Sequence, residues 1–424
     1  MIYQKGMWMK LYKLQPFFLD YLWGGTDLIK NWGKKPPSLK LAESWELCIH
    51  PTGESRVADG ADEGKPLSQV LTKADWGDNC VNFPVFPLMV RLIDAEQNVS
   101  IHVHPGNAYA QAKGEPWGKT EMWYILEAKP GAGIYCGFKE PITSEEYVRR
   151  IHDGTITEVL RFTEVEPGQA IKIEPGTVHT VCAGLLMMEI NQNSNITYRV
   201  FDFGRKDKDG NSRPLHLEDA AAVSKLTPYK GRNPRLSMGP GKTLLCASRW
   251  FSVYEYRNVM NAGSACLSVP TDKRSFSVLT FLEGEGHVNG QYFNKGQSFL
   301  STAEKGVLNI EGPCRFILAK VVKYFVNITI DGTYINGTVI DQDSFMLAEN
   351  KIPLQTRQSG ESAVQNLTTL VASLLEQAGL TVDDVERIGI PQDFNNRCGN
   401  NAPVAEMLKT YYGPAVPVTN DVVF

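Results

Sequence analysis

The sequence predicts a mainly β protein with two jelly rolls, a small helical insertion and a small α/β C-terminal segment. Three observations support this fold class. Short runs of apolar and β-branched residues recur through the first two thirds of the chain, separated by glycine and proline, which is typical of sandwiches and barrels. A second block of the same kind follows a connector rich in proline, glycine and basic residues. Near the end, the apolar spacing changes to that of a helix.

The first block is predicted to form one β domain over residues 1–240. Its clearest strands are residues 122–126, 168–173, 180–191 and 197–202. A helical insertion is predicted at about residues 141–165, where Thr143 or Ser144 is placed to cap a helix. A further helix is predicted to begin near His216.

The second block and the tail differ in periodicity. Residues 241–325 alternate apolar runs with glycine-containing turns, and we predict a second jelly roll there. Residues 363–379 carry apolar side chains at helical spacing, and Gly379 stands where a glycine commonly ends a helix. Because β-like residues flank this helix, residues 326–424 are predicted to form an α/β segment.

Composition excludes several function classes. The chain has 424 residues, a formal net charge of −4 and a pI near 6.0, which gives no electrostatic case for binding nucleic acid or an anionic membrane. No apolar run approaches the roughly 18 residues that span a bilayer, and the N-terminus lacks the apolar core of a signal peptide. The eight cysteines contain no C-x-x-C pair, so we expect reduced, mostly buried thiols and a cytoplasmic protein.

The motif Ile-His-Val-His-Pro, which contains His102 and His104, is the most informative in the chain. Side chains on a strand alternate with a period of two, so both imidazoles point to one side. Glu121 and His179 add a carboxylate and a third imidazole, a donor set suited to zinc or another divalent first-row metal. An isolated H-x-H pair is more often solvated or hydrogen-bonded, but Glu121 precedes an apolar run where an unpaired charge is costly. The sequence therefore predicts one metal site.

Six segments occur in an order and spacing that a known family shares. They are Gln15-Pro-Phe-Phe to Tyr21-Leu-Trp-Gly-Gly, Ala42-Glu-Ser-Trp-Glu, Ser100-Ile-His-Val-His-Pro-Gly, Gly118-Lys-Thr-Glu-Met-Trp-Tyr, Pro175-Gly-Thr-Val-His and Asn193-Ser-Asn-Ile-Thr-Tyr-Arg-Val-Phe-Asp-Phe-Gly-Arg. Through them, residues 9–325 resemble the shorter bacterial form of type I mannose-6-phosphate isomerases, zinc enzymes of the cupin superfamily. The resemblance implies two cupin-like jelly rolls, with the catalytic site in residues 1–240.

The resemblance also implies an activity and a metal. The activity is interconversion of mannose 6-phosphate and fructose 6-phosphate, by proton transfer through an enediolate. One zinc ion per chain is expected, with His102, His104, Glu121 and His179 as its ligands. Because the family usually has glutamine at the position of His102, we expect metal binding to be kept and metal preference to shift.

Four further residues are candidates for the chemistry. The resemblance places Ser100, Lys119 and Arg205 at the substrate phosphate and Arg199 beside the negative charge of the intermediate. Glu189, a carboxylate within an apolar strand, is suited to general acid/base catalysis, with Lys119 as the alternative base. Two plainer interpretations stay open: Lys119 as a solvated lysine, and Glu189 as a structural partner of Arg199 across the sheet.

Two other function classes also stay open at the level of sequence. One is a non-catalytic cupin that binds a sugar or a metal. The other is a metal-dependent oxygenase, since cupins with H-x-H and glutamate also hold iron. For the expected isomerase, the partner is a small-molecule sugar phosphate, and the sequence leaves the oligomeric state open.

The tail has a second resemblance. The segments Ile330-Asp-Gly-Thr-Tyr-Ile-Asn-Gly-Thr, Glu376-Gln-Ala-Gly-Leu-Thr-Val-Asp-Asp, Asn401-Ala-Pro-Val-Ala-Glu-Met-Leu and Val418-Thr-Asn-Asp are similar to the N-terminal part of ROK-family sugar kinases. The phosphate loop of that family would lack its leading acid and one glycine here, and the sequence ends three residues after Asp421. We therefore expect residues 326–424 to be a non-catalytic fragment.

Overall fold

A computed structural model of the protein describes residues 9–207, 209–231, 235–259, 265–355, 359–391, 394, 404–413 and 417–419. The chain divides into a first unit, residues 1–231 and 255–319, and a second unit, residues 232–254 and 320–424. The sequence-based boundaries at 240 and 325 are placed differently, and the division into three domains stays a prediction. Cys398 and the kinase-like pair Asn420-Asp421 lie outside the described residues.

The strands and helices up to residue 231 belong to the first unit. The strands are β1 (Leu11–Gln15), β2 (Phe17–Leu19), β3 (Glu43–Leu47), β4 (Ile49–His50), β5 (Gly53–Glu54), β6 (Arg56–Val57), β7 (Leu88–Ala95), β8 (Ile101–Val103), β9 (Glu121–Ala128), β10 (Gly133–Phe138), β11 (Leu160–Glu164), β12 (Ala170–Ile173), β13 (His179–Val181), β14 (Leu185–Gln192) and β15 (Tyr198–Phe201). The helices are α1 (Asp27–Lys30), α2 (Leu67–Val70), α3 (Lys73–Trp76), α4 (Asn107–Ala112), α5 (Ser144–His152) and α6 (Leu217–Val223), with short 3₁₀ helices at Asp78–Cys80 and Ile156–Glu158.

Two antiparallel sheets form the first jelly roll. The six-stranded sheet has the order β12-β9-β14-β7-β3-β2, and the five-stranded sheet has the order β11-β10-β13-β8-β15. Ile93 and Met187 from the first sheet share one core with Ile134 and Val181 from the second, so the two sheets pack face to face. Every residue of β14 is buried, which explains its nearly continuous apolar sequence.

The predicted strand over residues 180–191 is two strands in different sheets. β13 belongs to the five-stranded sheet and β14 to the six-stranded sheet. The turn between them contains Gly184 in a left-handed conformation, with φ of 86°. The expectation of a single strand was wrong because periodicity does not mark a turn inside an apolar run.

Both helices expected in the first block are confirmed. The Thr143 hydroxyl accepts a hydrogen bond from the Glu146 backbone N–H at 3.2 Å, which caps α5 at its N-terminus. α6 begins directly after His216. Tyr147 of α5 and Ala220 of α6 pack with Val103 and other residues of the five-stranded sheet in a second core, distinct from the core between the two sheets.

The later strands of the first unit form the second jelly roll. They are β19 (Cys266–Thr271), β20 (Ser277–Val288), β21 (Gln291–Asn294), β22 (Ser298–Ser301), β23 (Gly306–Glu311) and β24 (Cys314–Lys320). β20 pairs with β22 and β24, and the N-terminal strand β1 pairs with both β22 and β6. The N-terminal strand therefore extends the second jelly roll, although sequence order alone places it with the first.

The second unit contains a mixed α/β segment. Its elements are β16 (Leu236–Ser237), β17 (Lys242–Ala247), the start of β18 (Ser252–Asn258), β25 (Tyr324–Asp331), β26 (Tyr334–Asp341), β27 (Met346–Pro353), α7 (Gly360–Ala378), a 3₁₀ helix at Val382–Asp384, β28 (Val385–Gly389), α8 (Val404–Tyr412) and β29 (Val418–Thr419). β25, β26 and β27 are antiparallel neighbours, whereas β28 runs parallel to β25. Gly379 caps α7 with a φ of 66°, as predicted. The expected α/β segment is confirmed.

The length and apolar character of the helices bear on whether the chain crosses a membrane. Among the residues that the structure describes, none forms a helix with both the length and the apolar character needed to cross a membrane.

Candidate metal centre and active-site cleft

Three buried histidines converge between the two sheets of the first jelly roll. His102 lies on β8, His104 directly follows that strand, and His179 opens β13. His179 and His102 are direct cross-strand partners, which brings together two imidazoles 77 positions apart in sequence. One ligand atom from each of the three lies within 4.8 Å of the others. Within the described ranges, no other group of three histidine, cysteine, aspartate or glutamate side chains is suited to hold a metal ion.

Backbone carbonyls orient each imidazole. The Nδ1 atom of His102 contacts the Ser100 carbonyl oxygen at 2.6 Å, and those of His104 and His179 contact the carbonyl oxygens of Ile196 and Thr177 at 2.7 Å each. A carbonyl oxygen only accepts, so each Nδ1 carries the hydrogen and each Nε2 keeps its lone pair. Histidine ligands in metal sites commonly have this arrangement.

Glu121 completes the cluster from the opposite sheet. It opens β9 and is fully buried. Its Oε1 lies 3.1 Å from His179 Nε2, and its Oε2 lies 3.4 Å from His104 Nε2. Among the described residues, Glu121 Oε1 and His179 Nε2 make no hydrogen bond, whereas Glu121 Oε2 faces the Lys119 ammonium. Buried polar atoms without partners are rare, so this donor set fits a divalent metal ion.

Electrostatics hold the cluster in the protonation states that metal binding needs. Burial, followed by the neighbouring His179 and His104, lowers the pKa of His102 well below its usual value. Burial and the Lys119 cation lower the pKa of His104 to about 4. Burial opposes charge on Glu121, but Lys119, His104 and His179 outweigh it and hold the pKa of that carboxyl well below its usual range. At neutral pH the two histidines are neutral and the glutamate is ionised.

Lys119 is a buried cation at the edge of this cluster. Its Nζ lies 2.9 Å from Glu121 Oε2, 3.0 Å from Glu189 Oε1 and 3.3 Å from His104 Nε2. The preceding residue, Gly118, permits this position because a Cβ there would lie 2.5 Å from the Pro105 carbonyl oxygen. The alternative that Lys119 is a solvated lysine is wrong, since it is 3% exposed.

Glu189 lies in a row of charged side chains across the six-stranded sheet. Its cross-strand partner is Arg91 on β7, and the two side chains form a buried ion pair. Arg91 also contacts Glu43 Oε2 at 3.0 Å, and that oxygen accepts a hydrogen bond from Trp45 Nε1 at 2.6 Å. The alternative that Glu189 pairs with Arg199 is wrong, because its ion-pair partners are Arg91 and Lys119.

These groups border one cleft of about 250 Å³. Of the residues predicted from sequence, Ser100, His102, Lys119, Glu189 and Arg199 line it. Its other charged lining residues are Glu43, Arg91 and Arg213. One member of the metal-binding group, His102, therefore shares a solvent-accessible space with the acid–lysine pair, whereas His104, Glu121 and His179 are not among the described residues that line it.

Arg199 and Arg213 contribute cations to the cleft wall. Arg199 Nη1 donates to the Pro214 carbonyl oxygen at 2.9 Å. Arg213 donates to both carboxylate oxygens of Asp202, with Nε–Oδ2 at 2.8 Å and Nη2–Oδ1 at 2.5 Å. Arg205 contacts the same Asp202 and the Asn98 carbonyl oxygen, and it is not one of the described residues that line the cleft.

Sequence reasoning missed Glu43, Arg91 and Arg213. Arg91 had a usable signal, since it is a lone arginine in the apolar run Leu88–Ala95, just as Glu189 is a lone acid in its strand. Glu43 lies in a segment that carried the family resemblance but received no role. Arg213 lies in a polar stretch, where an arginine has no local signal of function.

Comparisons with known proteins show the family of the chain. The family description "Phosphomannose isomerase type I, catalytic domain" matches residues 11–133. "Probable mannose-6-phosphate isomerase GmuF" of Bacillus subtilis is 35% identical over 319 residues, which cover 72% of this chain and 98% of the relative. "Mannose-6-phosphate isomerase ManA" of the same organism is 33% identical over 314 residues, covering 72% of this chain and 97% of the relative.

A solved structure supports the fold class. The crystal structure of the mannose 6-phosphate isomerase from Bacillus subtilis superposes with a TM-score of 0.66 at 31% identity. The match covers 73% of this chain and 99% of the crystallised chain. The predicted cupin-like, mainly β architecture is thereby confirmed, whereas the comparisons give no support to the ROK-like tail, which stays a prediction. The relatives match over nearly their whole length, and the chain belongs to the type I phosphomannose isomerase family.

Proposed function

We propose that the protein is an aldose–ketose isomerase that interconverts mannose 6-phosphate and fructose 6-phosphate. The observation that carries this proposal is that the buried Glu189–Lys119 ion pair lies against a metal-binding histidine cluster, with Glu189, Lys119 and His102 lining one cleft. The relatives that match over nearly their whole length carry the name of this activity. A passive sugar-binding protein does not require a buried acid beside a metal-binding group.

We propose His102, His104, Glu121 and His179 as the ligands of one zinc ion per chain. Three imidazoles with free Nε2 atoms and one ionised carboxylate match the donor preference of zinc. The bound ion would supply Lewis acidity that polarises a substrate oxygen and makes the neighbouring C–H bond acidic. The hydrogen bonds to the three backbone carbonyls hold the imidazole rings in place for this role.

Glu189 is the proposed proton-transfer residue. Its carboxylate accepts the proton from C2 of the aldose to give the enediolate. The hydroxyl proton of O2 passes to O1, and the carboxylate returns its proton to C1 to give the ketose. Arg91 and Lys119 fix the position of this carboxylate through two ion pairs. A positioned side chain of this kind contributes typically ~10²–10⁴-fold to a rate. Lys119, as the neutral amine, is the alternative base, because its Nζ borders both the metal cluster and Glu189.

The remaining predicted residues are assigned to the negative charges of the substrate. Arg199 lies on β15, where it is the cross-strand partner of His102, and is proposed to offset charge on the enediolate. Ser100 and Lys119 line the cleft, but both contact the proposed metal-binding cluster, so the phosphate role that the resemblance implies stays a prediction for them. For Arg205, which pairs with Asp202, a phosphate role stays a prediction.

The direct test is isomerisation by the purified full chain. We expect metal analysis to find about one zinc per chain, chelation to abolish conversion of mannose 6-phosphate, and zinc to restore it. Oxygen consumption without isomerisation would favour the oxygenase. Zinc binding with neither reaction would favour the non-catalytic cupin. The cytoplasmic location is part of this proposal, and the oligomeric state is left open.

Replacement of Glu189 by glutamine tests the proton-transfer step. Glu189→Gln keeps the size of the side chain but removes the base, so we expect kcat to fall by roughly 10²–10⁴-fold while zinc content is unchanged. Glu164→Gln, on the exposed part of β11, is the matched control and should behave as wild type. Near-normal turnover of Glu189→Gln with zinc retained would exclude Glu189 and leave Lys119 as the candidate.

A further inference from the structure

Arg213 lines the cleft and forms an ion pair with Asp202, which also binds Arg205. Asp202 is 7% exposed, and Arg213 binds both of its oxygens. This two-point contact fixes the plane of the guanidinium. It uses Nε and Nη2 of Arg213, and Nη1 has no hydrogen-bond partner among the residues that the structure describes. An oriented guanidinium with unused donors therefore lines the cleft.

The surroundings of Arg213 carry an excess of positive charge. Arg199, Arg205 and Arg213 lie around the single carboxylate Asp202. Burial opposes charge on Asp202, but Arg213 and Arg205 outweigh it and lower the pKa of that carboxyl, so the group is ionised. Burial, followed by the nearby Arg213, lowers the pKa of Arg199. Arg199 Nε is buried and has no hydrogen-bond partner in the described part of the chain. Clustered cations with unused donors are the usual recognition site for an anion.

The proposed substrate indicates which anion Arg213 would bind, because its phosphate is its charged group. In a hexose 6-phosphate, the phosphate lies at the opposite end of the carbon chain from C1 and C2. Lys119 contacts Glu121 and His104, and the Ser100 carbonyl contacts His102, so both residues lie at the C1–C2 end. The described contacts of Arg213 include none of the proposed metal ligands. Arg213 lines the cleft without such a contact and is therefore assigned to the phosphate.

We propose that Arg213, oriented by Asp202, binds the phosphate of the substrate and makes the enzyme specific for phosphorylated sugars. The proposal rests on the proposed isomerase function for its substrate, but the anion site itself is testable without turnover. Arg205 then acts indirectly as a positioning residue, because it contacts Asp202 but is not among the described residues that line the cleft. Arg213 thus takes the role that the resemblance implied for Arg205.

Two measurements on Arg213→Gln test the proposal. Loss of a charge-assisted contact is expected to lower kcat/KM for mannose 6-phosphate by roughly 10- to 100-fold, mainly through KM. The affinity for inorganic phosphate, measured by titration calorimetry, is expected to fall by a similar factor. Activity on unphosphorylated mannose, where measurable, should not change. Arg161→Gln, an exposed arginine on β11, removes the same charge and should leave all three values at wild-type level.

The outcomes separate this inference from the proposed function. Phosphate affinity and KM within twofold of wild type in Arg213→Gln would overturn the inference. Wild-type protein that binds phosphate through Arg213 but does not isomerise would support the inference and contradict the function. If the glutamine variant does not fold, Arg213→Lys replaces it. Lysine keeps the charge but lacks the planar guanidinium group, which can contact Asp202 and a phosphate at the same time. The phosphate affinity should therefore fall several-fold. Wild-type affinity in Arg213→Lys would also contradict the inference.

Discussion

The two jelly rolls of the first unit bury different kinds of side chain. In the first, Arg91 and Glu189 form an ion pair in the middle of the six-stranded sheet, and Glu121 lies among imidazoles. In the second, a cluster of phenylalanine rings is buried among aliphatic side chains. Phe281 stacks on Phe293 with 3.6 Å between ring centroids and 8° between planes. The first jelly roll thus buries charged pairs beside its apolar core, whereas the second buries a phenylalanine cluster.

This difference shows how the two regions divide stability and chemistry. The desolvation cost of a buried ion pair offsets most of its Coulomb attraction, so such pairs are weak evidence of stability. Burial of aromatic rings is directly favourable, and stacked or edge-on pairs add roughly 0.5–1.5 kcal/mol beyond the area buried. We infer that the second jelly roll stabilises the unit, whereas the first contains charged groups that catalysis needs.

Removal of a metal ligand should have the largest effect on zinc binding and activity. Only ligands in the first jelly roll should have this effect. His179→Ala removes the fully buried imidazole that pairs with His102 across the sheet. We expect loss of bound zinc and a fall in isomerase activity of at least about 100-fold, measured by metal analysis and a coupled assay. His287→Ala, the lone histidine of the second jelly roll, is the control. Equal zinc loss in both variants would contradict the comparison.

Truncation of the aromatic core should affect stability without affecting the site. Phe281→Ala removes a fully buried ring that contacts Phe293, Phe299 and Phe316. We expect the free energy of unfolding to fall by about 3–5 kcal/mol, measured by denaturant titration. The zinc affinity of the folded fraction should be unchanged. A parallel loss of zinc affinity would show that the metal site of the first jelly roll depends on the core of the second.

The polar interior of the first jelly roll should also make its stability depend on pH. Burial raises the pKa of Asp94 from 3.8 to about 6, so the folded state binds this proton more tightly than the unfolded chain. The stabilisation is full below about pH 4 and is lost as pH rises through about 6. Asp94→Asn should therefore gain about 1–3 kcal/mol relative to wild type between these pH values. The exposed Asp20→Asn is the control, and a pH-independent difference for Asp94→Asn would contradict the assignment.

The smallest expected effect concerns metal preference. His102→Gln replaces an imidazole nitrogen by an amide oxygen, the residue usual in the family that the sequence resembles. We expect zinc to remain bound but with affinity reduced roughly tenfold, and manganese affinity to fall less, because oxygen ligands suit manganese better. Competition titrations with both metals measure this change. Unchanged zinc affinity would indicate that the other three ligands are sufficient.

Local sequence patterns predicted the features that depend on interactions between near neighbours in the chain. The cap at Thr143 and the glycine at Gly379 predicted the ends of α5 and α7 to within a few residues. The alternation of His102 and His104 predicted a shared face, and both imidazoles lie in the cluster. These features depend on backbone periodicity and on hydrogen bonds between near neighbours, which the order of residues determines directly.

The partners of buried charges were decided only by the tertiary structure. The sequence marked Glu189 as a buried acid but offered Arg199 as its partner, whereas strand register places Arg91 opposite it. The phosphate role that the resemblance implied for Arg205 stays a prediction, and of the two arginines it is Arg213 that lines the cleft. By itself, then, the sequence determined the β class, the metal-binding residue types and the helix ends. Sheet order and register decided which charges meet, because they depend on contacts between residues far apart in the chain, which local pattern does not encode.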